Sequence, residues 1–308
     1  MRFVADVMAL DESLGNVALT VGSFDGVHRG HRMILERVVQ VARESDLSPS
    51  MMTLDPHPRF VFAPHNAPNL LTPLEKKAEL AAALGIENFF VLRFDARISA
   101  MDREDFLRDL LLSRCGARHL VVGHDFAFGK GALGNFEFLR ERAPLLGYQV
   151  EEARPLIIEG ERVSSTLIRE LILQGELDRA ETFLGRKYSI LGEVVRGRGM
   201  GRKLGYPTAN IKPHHNAVPA NGIYAAIALI DGCEHIAAVN VGIAPTLQHE
   251  DVTIEAHVLD YNADLVGKKI ELIFHKRLRP EKKFDSIEAL IEAIGVDVEN
   301  IRNHFASR

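Results

Sequence analysis

Val17-Ala18-Leu19-Thr20-Val21-Gly22-Ser23-Phe24-Asp25-Gly26-Val27-His28-Arg29-Gly30-His31 decides the fold of the first half of the chain. The run 17–21 reads as a short apolar strand and the glycines that follow as a turn. From Gly30 to about Ser45, Ile34, Leu35, Val38, Val39 and Ala42 recur at helical spacing. Working outward, 50–54, 88–92, 119–123 and 148–152 read as further strands. Helical patterns occupy 73–84, 102–115, 165–174 and 176–184. The helix at 73–84 carries its own punctuation: Thr72 as N-cap, Pro73 at the first helical position and Gly85 past its end. Apolar strands alternating with amphipathic helices predict an α/β domain with a parallel sheet covered on both faces.

The second half changes period. Segments 188–195, 222–230, 235–241, 252–259 and 269–274 are strand-like and joined by turn residues such as Asp231-Gly232. Strands in succession predict a closed or nearly closed antiparallel β-barrel. The tail 285–305 reads as terminal helices, a pair. The boundary is expected near Gly185-Arg186-Lys187, giving domains 1–184 and 185–308.

Bulk properties agree. A chain of 308 residues suits two domains. With 46% hydrophobic and 26% charged residues, each half can bury a core. The net charge of -5 argues against a general nucleic-acid or membrane-surface binder. Cys115 and Cys233 fall one per half. They imply neither a disulfide framework nor a metal cluster, fit a reducing cytosol, and read as small hydrophobes. The start carries Asp6, Asp11 and Glu12 close to its apolar residues and lacks the basic beginning and apolar stretch expected of a signal peptide, and no apolar run is long enough to span a bilayer. A cytoplasmic protein is expected.

In the first half the unusual residues follow strands. Gly22 to His31 follows the first, Asp55-Pro56-His57-Pro58 the second, and Gly123-His124-Asp125-Phe126-Ala127-Phe128-Gly129 the fourth. Ser164-Ser165-Thr166-Leu167-Ile168-Arg169 follows the fifth and its loop. In an open parallel sheet these ends share one edge, where ligands bind. Glycines let the backbone approach a nucleotide, and a helix start offers N–H groups and partial positive charge to phosphate. His28 and His31, three apart, project from one side of that first turn and can stabilise charge on an attacked phosphorus. Ser164, Ser165 and Thr166 supply hydroxyls, and Arg169 a fixed cation for a polyphosphate. The spacing is not that of a dinucleotide turn, and no third metal ligand is obvious beside the histidines. Ser-Ser-Thr also fits a plain N-cap, and Phe62, Phe126 and Phe128 fit either core packing or the border of a ligand.

In the second half, the loop 197–205 is glycine-rich and basic and runs into Tyr206-Pro207-Thr208-Ala209-Asn210. It is not a Walker A loop, yet its N–H groups can form a nest around phosphate. Thr208 and Asn210, two apart on an extended segment, face the same way and offer oxygens of the kind Mg²⁺ takes. Along 252–258, Thr253, Glu255 and His257 share the polar face; Glu255 is either an exposed strand carboxylate or a general base toward a hydroxyl.

The motifs GSFDGVHRGH, DPHPR, VVGHDFAFGK, SSTLIR, LGRKY, GRKLGYPTANI and RPEKKFDS occur in this order over nearly the whole chain. The sequence thereby resembles the bifunctional bacterial FAD synthetases (riboflavin kinase/FMN adenylyltransferase). HRGH with SSTLIR resembles the wider nucleotidylyltransferase superfamily. The resemblance implies an N-terminal, Rossmann-like FMN adenylyltransferase domain of the nucleotidylyltransferase type and a C-terminal riboflavin kinase domain. The expected partners are ATP, riboflavin and FMN, with Mg²⁺ as cofactor and FMN and FAD as products. It implies that Thr208 and Asn210 bind Mg-ATP, that Glu255 is the kinase base, that His28 and His31 stabilise the adenylyl transition state and that Arg169 holds polyphosphate. Candidate ATP contacts are Gly22, Phe24, Asp25, Gly30, Ser164, Ser165 and Thr166 in one half, and Gly197, Gly199, Lys203, Gly205, Pro207 and Thr208 in the other. Candidate flavin contacts are Pro56, His57, Pro58, Phe62, Asp125 and Phe128. Three positions depart from the family's usual residues: Ser23, Leu247 and Val266, the last two bearing on flavin contacts of the kinase. Rival expectations are adenylylation alone with a degenerate kinase domain, an RNA-binding barrel using Arg196, Arg198, Arg202 and Lys203, and a flavin store without turnover.

Overall fold

The computed structural model describes residues 1–10, 12–197, 199–245 and 250–306. They form two compact units, 1–68 with 74–164 and 69–73 with 165–308.

The first unit is built on a parallel sheet of six strands: β1 (Arg2–Val4), β2 (Val17–Gly22), β3 (Ser48–Asp55), β4 (Asn88–Arg93), β5 (Ala117–Gly123) and β6 (Gln149–Ala153). Their order is β1-β4-β3-β2-β5-β6. The chain leaves β2 in one direction through β3 and β4, then crosses back to place β5 on the other side. The switch lies between β2 and β5, and in open sheets of this kind ligands bind outside the carboxyl ends of the strands at such a point. Alternate strand residues feed two cores, with Leu19, Val21 and Leu92 in one and Ala18, Phe89 and Val91 in the other. Helices α1 (Arg29–Ser45) and α3 (Leu74–Ala83) cover the second, as the 3.6-residue period of Leu35, Val38 and Ala42 requires.

The elements beyond the expected set include β1 and the helix Phe136–Leu146, which carries Pro144 in its last turn. One differs in kind. The segment 102–115 is a short α-turn at Arg103–Asp105 followed by a π-helix at Phe106–Arg114. Its wider turn ends with Cys115 N–H donating to the Leu110 carbonyl and points Phe106, Leu107, Leu110 and Leu111 into the core. A two-stranded hairpin, β7 (Ile157–Ile158) and β8 (Glu161–Arg162), closes the unit.

The second unit is a closed antiparallel barrel, in order β10-β13-β12-β11-β14-β9. The strands are β9 (Ser189–Val195), β10 (Ala209–Pro213), β11 (Gly222–Ile230), β12 (Cys233–Pro245), β13 (Glu250–Val258) and β14 (Lys269–Arg279). Tyr224, Val239, Ile254, Leu272 and Phe274 are buried. Each large side chain of this kind stabilises the fold by about 1.5–3 kcal/mol relative to exposure. Closure depends on β10, the extended piece after the glycine-rich loop, which pairs with both β9 and β13. The tail is one helix, Ile287–Ala306, rather than a pair: it contains no proline, and Gly295 is tolerated inside it. Arg279 at the end of β14 clamps this helix by bidentate contacts to Asp297, the shortest 2.6 Å. Helices Ser165–Gln174 and Leu177–Leu184, grouped by sequence with the first half, fall in this second unit, and Leu177–Leu184 packs against β14.

Candidate active sites

In the first unit, β2 ends at Gly22 and α1 begins at Arg29, so the turn 23–28 sits at the strand-order switch. His28 caps α1: its Nδ1 accepts the His31 backbone N–H at 3.2 Å. A ring nitrogen that accepts carries no proton, so the neutral ring holds its hydrogen on Nε2. The His28 and His31 rings stack at 3.6 Å between centroids and 15° between planes. Phe24 meets His31 edge-on at 5.0 Å. The two glycines make room for these rings. A Cβ on Gly30 would lie 3.3 Å from the His28 ring, and one on Gly22 would lie 3.1 Å from that of Phe24.

The turn is strained. Phe24 (φ 47°) and Val27 (φ 40°) occupy the left-handed region, which costs a non-glycine residue of order 1–3 kcal/mol. Interactions from below restrain it. The Ser23 carbonyl accepts from Lys77 Nζ on α3 at 2.8 Å and from Thr53 Oγ1 on β3 at 3.1 Å. Asp25 is 1% exposed and Lys77 5%. Burial pushes the Lys77 ammonium below its usual pKa, while the charges of Asp25 and Asp55 act to raise it. Sequence reasoning names Asp25 but misses Lys77 and Thr53; nothing in their local pattern marks them.

The second strand end carries a cis peptide at Asp55-Pro56, and His57 Nδ1 caps the short helix α2 (Pro58–Phe62). Phe62 is 64% exposed and leans on Phe94. Phe128 lies inside an aromatic cluster with Phe106, Phe126 and Phe138. Asp125, after β5, is paired with Arg162 at 2.8 Å. Ser164 closes this unit, whereas Ser165, Thr166 and Arg169 belong to the helix Ser165–Gln174 of the second, where Arg169 Nε donates to the Asn69 carbonyl at 2.6 Å.

In the barrel, register gathers the site. Glu255 on β13 is paired with Asn210 on β10 and with Asn240 on β12, so the three lie in one row across three strands. Their face is the polar one, since Ile254 and Ala256 on either side of Glu255 are buried. Thr208 Oγ1 reaches Glu255 Oε2 at 3.4 Å. The loop before it is shaped by glycine. A Cβ on Gly197 would fall 2.1 Å from the Asn210 side-chain nitrogen, and Gly199 and Gly205 have φ of 68° and 87°. Lys203 ends a one-turn helix, Met200–Lys203, with its side chain exposed. The Pro207 carbonyl accepts from His257 Nδ1 at 2.8 Å, fixing the approach to Thr208. Asn240 donates weakly to Glu281 at 3.5 Å, and its Oδ1 is buried without a partner among the described residues. Asn240 and Glu281 escape the sequence reading because only strand register relates them to Glu255. Arg198, Thr246 and Leu247 lie outside the described residues; Val266 is 46% exposed. No group of three or more His, Cys, Asp or Glu residues suited to a metal occurs among the described residues.

Residues 10–167 match the family model for FAD synthetase, and residues 184–305 match that for riboflavin kinase. The chain is 38% identical over 288 residues to a bifunctional riboflavin kinase/FMN adenylyltransferase of Pseudomonas fluorescens, covering 93% of this chain and 92% of that one. It is 35% identical, with the same coverage, to the protein of that name from Escherichia coli K12. It is 32% identical over 308 residues to that from Haemophilus influenzae, covering all of both chains. Among solved structures it is similar to a protein of Streptococcus pneumoniae described as a macrolide-efflux protein. The TM-score is 0.86 and the identity 27%, over 98% of each chain. No helix among the described residues of this chain is long and apolar enough to cross a membrane.

Proposed function

Since the chain belongs to the family of bifunctional riboflavin kinase/FMN adenylyltransferases, we propose that its two units divide that work between two separate sets of side chains. The chain is a bifunctional transferase: it phosphorylates riboflavin with ATP to give FMN and adenylylates FMN to give FAD. The riboflavin kinase match over 184–305 argues against an enzyme with adenylylation alone. The functional boundary is drawn at 184/185, with the adenylyltransferase part before it and the kinase part after it.

In the barrel, Glu255 takes the proton of the ribityl 5′-hydroxyl as that oxygen attacks the γ-phosphorus of ATP, and ADP leaves. Thr208, Asn210 and Glu255 converge three kinds of oxygen donor, a set that suits Mg²⁺, which completes its shell with water and phosphate. Thr208 and Asn210 would hold the ion, which when bound neutralises phosphate charge. The glycine-rich loop, with Gly197, Gly199, Lys203 and Gly205, covers the triphosphate.

In the α/β part, an FMN phosphate oxygen attacks the α-phosphorus of a second ATP; the bond to the bridging oxygen breaks and pyrophosphate leaves. The nucleophile is already ionised near neutral pH, so no strong base is needed. His28 donates from Nε2, and His31 stacks against it to meet charge growing on the phosphoryl oxygens. Ser164 offers its hydroxyl to the polyphosphate, and His57, Phe62 and Asp125 border the flavin. A cytoplasmic setting belongs to this reading, supported by an exposed free thiol at Cys233 and a buried one at Cys115.

One observation carries the proposal: each compact unit holds its own phosphate-handling set, the stacked imidazoles in one and the Asn210–Glu255–Thr208 group in the other. The test is product analysis of the purified protein. Riboflavin with Mg-ATP should give FMN and then FAD, and FMN with Mg-ATP should give FAD and pyrophosphate. Failure of the first reaction would reject the kinase assignment, and failure of the second the adenylylation assignment.

A further inference from the structure

We propose that Lys77 is a positioning residue for adenylylation, its buried ammonium gripping the Ser23 carbonyl and thereby setting where His28 and His31 stand. The inference rests on the reading that this imidazole pair serves adenylylation.

An ammonium is costly to remove from water, and an apolar side chain would fill a buried position on a helix more cheaply. Lys77 is nevertheless 5% exposed, on α3, at the underside of the strained turn. Its Nζ donates to the Ser23 carbonyl at 2.8 Å, and Thr53 Oγ1 donates to the same oxygen at 3.1 Å. Asp25, one of the turn's own residues, and Asp55, the last residue of β3, supply the facing negative charge. Lys77 therefore joins α3, the end of β3 and the turn at one point. Two residues of that turn, Phe24 and Val27, sit in left-handed conformations that persist only when their surroundings over-determine them. Released at Ser23, the turn relaxes toward ordinary backbone angles. His28 moves with it, because it is both the last residue of the turn and the cap of α1. A shift of about 1 Å in a group that meets a transition state lowers turnover by about 10²-fold.

The experiment uses full-length protein carrying Lys77→Met, Thr53→Val or His31→Ala, with riboflavin phosphorylation and FMN adenylylation assayed separately. Lys77→Met keeps the length and the apolar stem and removes the charge. Its adenylylation kcat should fall at least about tenfold, while KM for ATP and FMN stays within about threefold and phosphorylation is unchanged, because positioning acts on the transition state. Thr53→Val removes only the second donor, and its kcat should fall about threefold or more by the same argument. A kcat within about twofold of the parent in Lys77→Met, or a rise in KM alone, overturns the proposal. If Lys77→Met does not yield folded protein, Thr53→Val decides: unchanged kcat overturns it. His31→Ala separates the two levels. Intact adenylylation in that variant rejects the imidazole reading itself, whereas loss there with an unaffected Lys77→Met rejects only the role of Lys77.

Discussion

Replacing Glu255 by glutamine removes a carboxylate and changes almost nothing else. The side chain is half-buried on the polar face of β13, aligned with Asn210 and Asn240 in the neighbouring strands. Glutamine has the same length, and its amide oxygen can still accept from Thr208 Oγ1, now 3.4 Å from Glu255 Oε2. What is lost is the ability to take a proton. General-base catalysis contributes about 10²–10⁴-fold. At 1.36 kcal/mol per tenfold this raises the barrier by about 2.7–5.4 kcal/mol. The lower end is expected, because the ribityl hydroxyl can pass its proton to water when the base is gone. FMN formation from riboflavin should therefore fall at least about 10²-fold in kcat. The Michaelis constants should stay within about threefold, since glutamine preserves ground-state contacts. FAD formation from supplied FMN should be unaffected, because the imidazole set belongs to another compact unit. Chromatographic quantification of FMN and FAD in separate reactions reads both activities. If the variant retains more than about one tenth of its FMN formation, Glu255 is not the base. If both activities fall equally, the two sites are not independent.

His31→Ala should lower FMN adenylylation by roughly 10² or more, the scale for losing a transition-state donor, with riboflavin phosphorylation as the internal control. Gly197→Ala should impair phosphorylation, because the new Cβ would sit 2.1 Å from the Asn210 nitrogen. A shift of either group by about 1 Å costs about 10²-fold, and parental FMN formation by the variant would show that the loop and Asn210 do not meet. Arg37→Met probes pH dependence. The hydrogen bonds from Arg37 hold the Glu151 carboxyl below its usual 4.5. A depressed folded pKa contributes stability that is present above 4.5 and lost as pH falls through the folded value. The stability gap between parent and variant should thus be full at neutral pH and close in acid, as read by denaturant midpoints across pH; a gap independent of pH would contradict it.

Most of the scaffold was legible in the sequence for a simple reason. Strands of 17–21 and 222–230, and the helix after Gly30, announce themselves by local period, and the turn residues between them by backbone preference. The π-helix at Phe106–Arg114 was not, since its i→i+5 bonding leaves nearly the same apolar pattern as an α-helix. The single tail helix was not either, because a glycine inside a helix and one between two helices look alike in sequence. Among site residues, His28, His31, Thr208, Asn210 and Glu255 could be named from motif and face. Lys77, Thr53, Asn240 and Glu281 could not, because each matters only through a neighbour far along the chain.

Local sequence specifies two unlike backbones, one alternating strand with helix and one running strand to strand, and the residue types able to handle phosphate on each. Those are properties of neighbours within a few residues. The fold in three dimensions adds that β2 and β5 lie side by side, with the imidazole turn at the strand-order switch, that β10 closes the barrel, and that Asn210, Glu255 and Asn240 stand in one row. Strand order and register come from burial and long-range pairing, and a slip of one residue would turn Glu255 from the polar face into the core.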